Sequence, residues 1–176
     1  MFQKYFTVVA FLLLITSCDK LDELTKFEIE YDTEVTIPSS TGVNLPFDIL
    51  TPDTETNSES EFESNDTRKE LIEEIKLTQL QLVINAPTNA DFSFLESIEV
   101  LISADGLDEI KIASKTEVPE TVSVLDLDIE DVDLQEYIKK DSYNLRLNTV
   151  TDEAMSTNHT IGVNSTFFVD AKIFGL

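Results

Sequence analysis

The chain of 176 residues has one cysteine, one histidine and no tryptophan, and its 12 lysines and arginines are outnumbered by 35 aspartates and glutamates. Each shortage closes a class of function. A single cysteine excludes an internal disulfide, so the fold must hold by burial alone, which a 41% hydrophobic content permits. A lone imidazole, His159, cannot build a zinc site that needs several nitrogen or sulfur ligands. It lies between Asn158 and Thr160, a stretch that reads as an exposed turn ahead of the last strand and not as the seat of a catalytic base. Serines and acids are plentiful, but no serine carries the flanking glycines of a nucleophile elbow. A net charge of −23 repels phosphate backbones and anionic headgroups, which excludes nucleic acid and electrostatic adsorption to a membrane. No catalytic set, metal or cofactor is expected.

The amino-terminal segment carries the most specific signal. Behind Lys4, a largely apolar stretch runs from Phe6 to Ile15, the pattern of a signal peptide. It falls well short of the roughly 20 apolar residues that a spanning helix needs. The stretch closes on Leu14-Ile15-Thr16-Ser17-Cys18. That order resembles the lipobox of bacterial lipoproteins, in which a branched aliphatic residue and two small residues precede an invariant cysteine. The resemblance implies that Cys18 is lipidated with a diacylglycerol, that residues 1–17 are removed, and that the new amino terminus is acylated. Acyl chains contribute roughly 0.8 kcal/mol per buried methylene, and more than one chain makes such an anchor stable. The following Cys18-Asp19-Lys20-Leu21-Asp22-Glu23 is similar to the acid-rich start of small Bacteroidota envelope lipoproteins, which implies an outer-membrane location on either face. Residues 18–26 then form an acylated tether, and residues 27–176 a single domain; the chain from Cys18 onward has 11 basic against 35 acidic residues, a net charge of −24.

Within that domain, hydrophobicity alternates with period two. Phe27, Ile29, Tyr31, Val35 and Ile37 face one way while Glu28, Glu30, Asp32 and Glu34 face the other, the signature of a half-buried strand. Val43, Leu45, Phe47 and Ile49 mark a second strand, placed at an edge by Pro46, which has no ladder donor. Leu80, Leu82 and Ile84 mark a third. Ile98, Val100 and Ile102 lead into Asp105-Gly106, a hairpin signal, with Ile110 and Ile112 on the return. Val122–Ile129, Tyr143–Thr149 and a long final run through Ile161, Val163, Phe167, Val169, Ala171 and Ile173 complete the set. Capping-box patterns predict two short helices, one after Thr67 carrying Leu71, Ile72 and Ile75, the other after Asp133 carrying Leu134, Tyr137 and Ile138. About eight alternating strands with two minor helices predict an all-β antiparallel sandwich. The acidic run 53–66, without a basic residue, reads as a mobile loop.

Chemistry is sparse. Asp126, Asp128 and Glu130 lie two apart, so on one strand face they would offer a weak cation contact. As an EF-hand loop the run fails, with Asp131 where the glycine and Tyr137 where the bidentate glutamate belong. A carboxylate-based hydrolase acting on sugars would have to rest its substrate on Tyr31, Tyr137, Tyr143 and phenylalanines. Phe92 and Phe94 read as packing across the sandwich end. The expectation is a lipid-anchored, non-catalytic binding or structural module whose partner is an envelope protein or glycan. The alternatives are a calcium-dependent adhesin or assembly component and a small hydrolase.

Overall fold

The computed structural model describes residues 25–39 and 43–172. The signal segment, Cys18 and Ile173 lie outside the described residues. Among the described residues are ten strands: β1 (Lys26–Ile37), β2 (Pro46–Leu50), β3 (Thr54–Glu55), β4 (Ile72–Ala86), β5 (Leu95–Ala104), β6 (Ile110–Thr116), β7 (Val124–Asp126), β8 (Asp128–Ile129), β9 (Ser142–Thr151) and β10 (His159–Ala171). The same residues include the α-helices α1 (Ser58–Ser64) and α2 (Gln135–Ile138). The strands form two antiparallel sheets, β1-β10-β4-β7 and β2-β9-β5-β6-β8, with β3 added to β9. This is an all-β sandwich. Its core is the set of inward alternate residues, among them Ile75, Leu80, Leu82, Val100, Ile102, Leu145, Leu147, Val163 and Phe167, each fully buried. Such side chains contribute about 1.5–3 kcal/mol apiece on burial.

The alternation places most strands as expected. The final run is the central strand β10, flanked by β1 and β4, and Pro46 opens the edge strand β2. Gly106, at φ +73°, takes the left-handed position in the β5–β6 hairpin that a side chain disfavours. Phe92 and Phe94 are buried, as packing at the sandwich end requires. Val43 and Leu45, expected on an inner face, are exposed instead, because the ladder with β9 begins only at Pro46.

Three segments depart from the pattern. After Thr67 there is one 3₁₀ turn, Lys69–Leu71, and then a 15-residue strand in place of a helix. Ile72 and Ile75, three apart like a helical pair, both face the core because the β4–β10 ladder slips between Asp170 and Ala171. The second helix does start after Asp133, whose Oδ1 accepts from the Gln135 amide (3.0 Å) and from the Ile75 amide of β4 (3.1 Å). The acidic segment 53–66 is built into the fold as β3 and α1, which corrects the loop expectation. Its one aromatic, Phe62, is fully buried with its ring 6.4 Å from Phe27, and Thr56 O accepts a 2.7 Å bond from the Tyr31 hydroxyl. A single apolar anchor and satisfied backbone groups outweigh an acidic composition there. Finally, Val122–Ile129 is not one strand. It pairs with β4 as β7, crosses at the buried Leu127, and pairs with β6 as β8 in the opposite sheet.

The doublet Phe167-Phe168 in β10 puts one ring inside and the next outside. Phe167→Ala should cost about 3–5 kcal/mol in urea denaturation, as a buried large-to-small change, and Phe168→Ala less than half of that. Lys172→Ala, at an exposed end, should be near neutral. Equal costs at 167 and 168 would contradict the placement of β10.

Candidate functional site

The outer face of the four-stranded sheet differs from the rest of the surface. The strand register aligns its outward residues in rows: Glu30–Thr166–Gln79, then Asp32–Asn164–Gln81–Asp126, then Glu34–Gly162–Val83–Val124. In the first two rows acids hold the outer strands and amides and a hydroxyl the central ones, while the third row ends in Val83 and the exposed Val124. Gln79 and Gln81 each donate Nε2 to Asp126 Oδ1, at 3.1 and 2.9 Å, which orients both amides and leaves each a carbonyl oxygen and one N–H. Glu30, Asp32, Gln79, Gln81, Asn164 and Thr166 line a shallow depression of about 280 Å³.

Two local devices shape this face. The β4–β10 register slips between Thr166 and Phe167, so Thr78 and Gln79 both emerge at the surface, and Thr78 Oγ1 donates to Thr166 O at 3.1 Å. Beside the depression Gly162 has no side chain, and Asn85 lies over it to donate Nδ2 to Glu34 Oε2 at 3.0 Å. A Cβ on Gly162 would come within 3.1 Å of that amide nitrogen. On the other side, Phe168 stands half-buried on the outer face between Glu28 and Lys76. The alternation singled out the acids of β1 as a wet face and left Gln79, Gln81, Asn164 and Thr166 unremarked. The Phe-Phe doublet in an alternating strand was the signal, since two adjacent residues cannot both face the core.

The opposite outer face is organised by ion pairs. Arg146 donates to Glu109 at 2.6 and 2.9 Å and to Asp48 at 2.7 Å, and Asn148 donates to Asp48 at 2.8 Å. Hydrogen bonds from Asn148 and Arg146 hold Asp48 below the ordinary carboxylate range, and the bond from Arg146 does the same for Glu109.

The sequence-selected acids do not assemble. Asp126 belongs to the four-stranded sheet, whereas Asp128 pairs with Lys115 Nζ at 3.1 Å on the other sheet and Glu130 with Lys111 Nζ at 2.9 Å. The crossover at Leu127 breaks the shared face on which the cation reading depended. Among the described residues there is no group of three acids, histidines or cysteines placed to hold a metal ion. His159 is buried, not an exposed turn residue, because the β1–β10 ladder extends to it. Its Nδ1 lies 3.1 Å from Thr157 O and its ring centroid 4.7 Å from that of Phe94. The tyrosines proposed as a sugar platform are also interior. Burial pushes the Tyr31 and Tyr143 phenols well above their ordinary range, and the Tyr137 hydroxyl donates to Asp108 O at 2.7 Å. Cys18 lies outside the described residues.

No family model and no curated protein matches the chain. Among solved structures, Desmodium yellow mottle tymovirus is 12% identical with a TM-score of 0.32, covering 84% of both chains. The crystal structure of FLHE is 10% identical with a TM-score of 0.31, covering 82% of this chain and 98% of that one. Tomato aspermy virus is 15% identical with a TM-score of 0.30, covering 82% of this chain and 79% of that one. Likenesses this weak carry no functional argument.

Two measurements follow from these placements. A carboxylate whose folded pKa is lowered adds stability that is present above its ordinary pKa and fades as pH falls through the folded value. The melting-temperature gap between the wild type and Arg146→Met should therefore be widest at neutral pH and close on acidification; a gap independent of pH would contradict the network. Calcium and magnesium should shift the melting temperature equally at matched ionic strength. A calcium-specific rise abolished by Asp126→Asn with Asp128→Asn would restore the cation site.

Proposed function

We propose that this chain is a lipid-anchored, non-catalytic binding module of the bacterial envelope, held by acylated Cys18 in the outer membrane and meeting its ligand with the outer face of the four-stranded sheet. The observation that carries the reading is the band of Gln79, Gln81, Asn164 and Thr166 at the centre of that face. On the opposite sheet the uncharged outward side chains Asn144, Asn148 and Ser114 are interspersed with charged residues in ion pairs, such as Arg146, Lys111 and Lys115, and do not form one continuous band. Four uncharged hydrogen-bonding side chains in two adjoining rows contribute little to folding, since exposed polar positions are worth only tenths of a kcal/mol. Their arrangement suits a partner. The separated acids and the interior histidine and tyrosines support a binding role over a calcium-dependent or hydrolytic one.

The lipobox-like order supports the anchor. Eight peptide units from Cys18 to Lys26 let the domain reach at most about 28 Å from the lipid. Cys18→Ala should release the protein from the membrane fraction and abolish labelling by a fatty-acid analogue. Tight membrane association of that variant would contradict the anchor. A photo-crosslinker at position 166 should form adducts in intact envelopes where one at Ser114, on the opposite sheet, does not; equal yields would contradict the choice of face.

A further inference from the structure

We infer that the ligand of this face is a linear, uncharged polysaccharide lying across the strands, with one sugar ring against Phe168. The inference rests on the binding-module reading and adds the ligand class. Cross-strand neighbours are about 4.8 Å apart and same-face residues along a strand about 6.8 Å apart, so the two rows form a grid of donors and acceptors roughly 14 Å wide from β1 to β7. A ligand that answers such a grid must itself repeat hydroxyl groups at short intervals, as a sugar chain does. The amides are set in advance, because Asp126 holds both glutamines and leaves a donor and an acceptor on each.

Charge and polarity narrow the class. Glu30 and Asp32 on one border and Asp126 on the other repel uronates, sulfated glycans and phosphate-bearing chains. Apolar surface is nearly absent from the depression, which disfavours lipids and the apolar centre of a protein interface. Apolar groups flank it on the same face: Phe168 stands next to Thr166 in the outward series of β10, and Val83 with the exposed Val124 lies in the row on the other side. A flat ring beside a hydrogen-bonding band fits the two sides of a pyranose, whose C–H face packs on an aromatic while its hydroxyls turn to the amides. The face is shallow and open along the sheet, so it suits a chain that passes through and not a small molecule that must be enclosed.

Calorimetric titration of the soluble domain, residues 19–176, with neutral linear hexasaccharides of glucose, xylose and mannose tests this. Circular dichroism and the urea midpoint first establish that each variant is folded. Saturable binding to at least one of them is expected in the millimolar range or tighter. Gln81→Ala and Phe168→Ala should each weaken it about tenfold, the equivalent of one lost hydrogen-bonded or stacked contact, with Ser114→Ala without effect. Absence of saturable binding to the whole set overturns the ligand class, as does binding that Gln81→Ala and Phe168→Ala leave intact. A protein adduct from position 166 with no hexasaccharide binding overturns the sugar and leaves the binding module standing; equal adducts from positions 166 and 114 remove the module reading itself.

Discussion

Three rings join the two sheets. Tyr31 on β1, Phe167 on β10 and Tyr143 on β9 meet edge to face with centroids 5.8, 5.9 and 6.2 Å apart. Such pairs add about 0.5–1.5 kcal/mol each beyond the area they bury. In a chain whose single cysteine cannot form an internal disulfide, this contact between sheets does what a covalent staple does elsewhere. It also fixes the acidic segment, since the Tyr31 hydroxyl bonds Thr56 O and so holds β3 and α1 against β1. The rest of the sandwich depends on that junction, with α2 and Asp133 bracing the start of β4 at the same end.

A core organised this way leaves the two outer faces free to differ. The six-stranded face is tied by cations, with Arg146 bridging Asp48 and Glu109 and Lys111 reaching Glu130. These exposed pairs contribute modestly one by one, yet they offset part of a large negative charge at the place where strands from three parts of the chain meet. The four-stranded face keeps its ion pairs, Lys26 with Asp170 and Lys76 with Glu74, to one end and sets amides at its centre. Gly162 keeps it low enough for Asn85 to reach Glu34, and Gln79, two residues before Gln81 on the same face, shares Asp126 with it. The surface that results is polar, nearly flat and weakly repellent to anions, which is the physical basis for reading it as the contact surface.

Period-two alternation made the class of fold and most strands legible, because each strand buries one face and a one-residue slip would invert it. It failed where tertiary contacts override local pattern. Ile72 and Ile75 mimic a helical pair through a ladder slip that only the partner strand β10 creates. Phe62 sits among acids and looks isolated, but its pocket is supplied by Phe27, far away in sequence. Leu127 hides a change of sheet inside an unbroken alternating run, and with it the cation face vanished. The candidate site was least legible of all. Gln79, Gln81, Asn164 and Thr166 come from two strands about 85 residues apart and become neighbours only through the β4–β10 register.

The central claim is that this band of amides is present for a ligand and not for the fold. Thermal unfolding of a chain carrying Gln79→Thr, Gln81→Thr and Asn164→Thr together tests it most directly, since threonine keeps the strand preference while removing every amide of the two rows. The account predicts a melting temperature within a few degrees of the wild type and a single cooperative transition. Loss of cooperative unfolding, or a fall as large as that caused by Phe167→Ala, would show that the amides hold the sheet together and would contradict the claim.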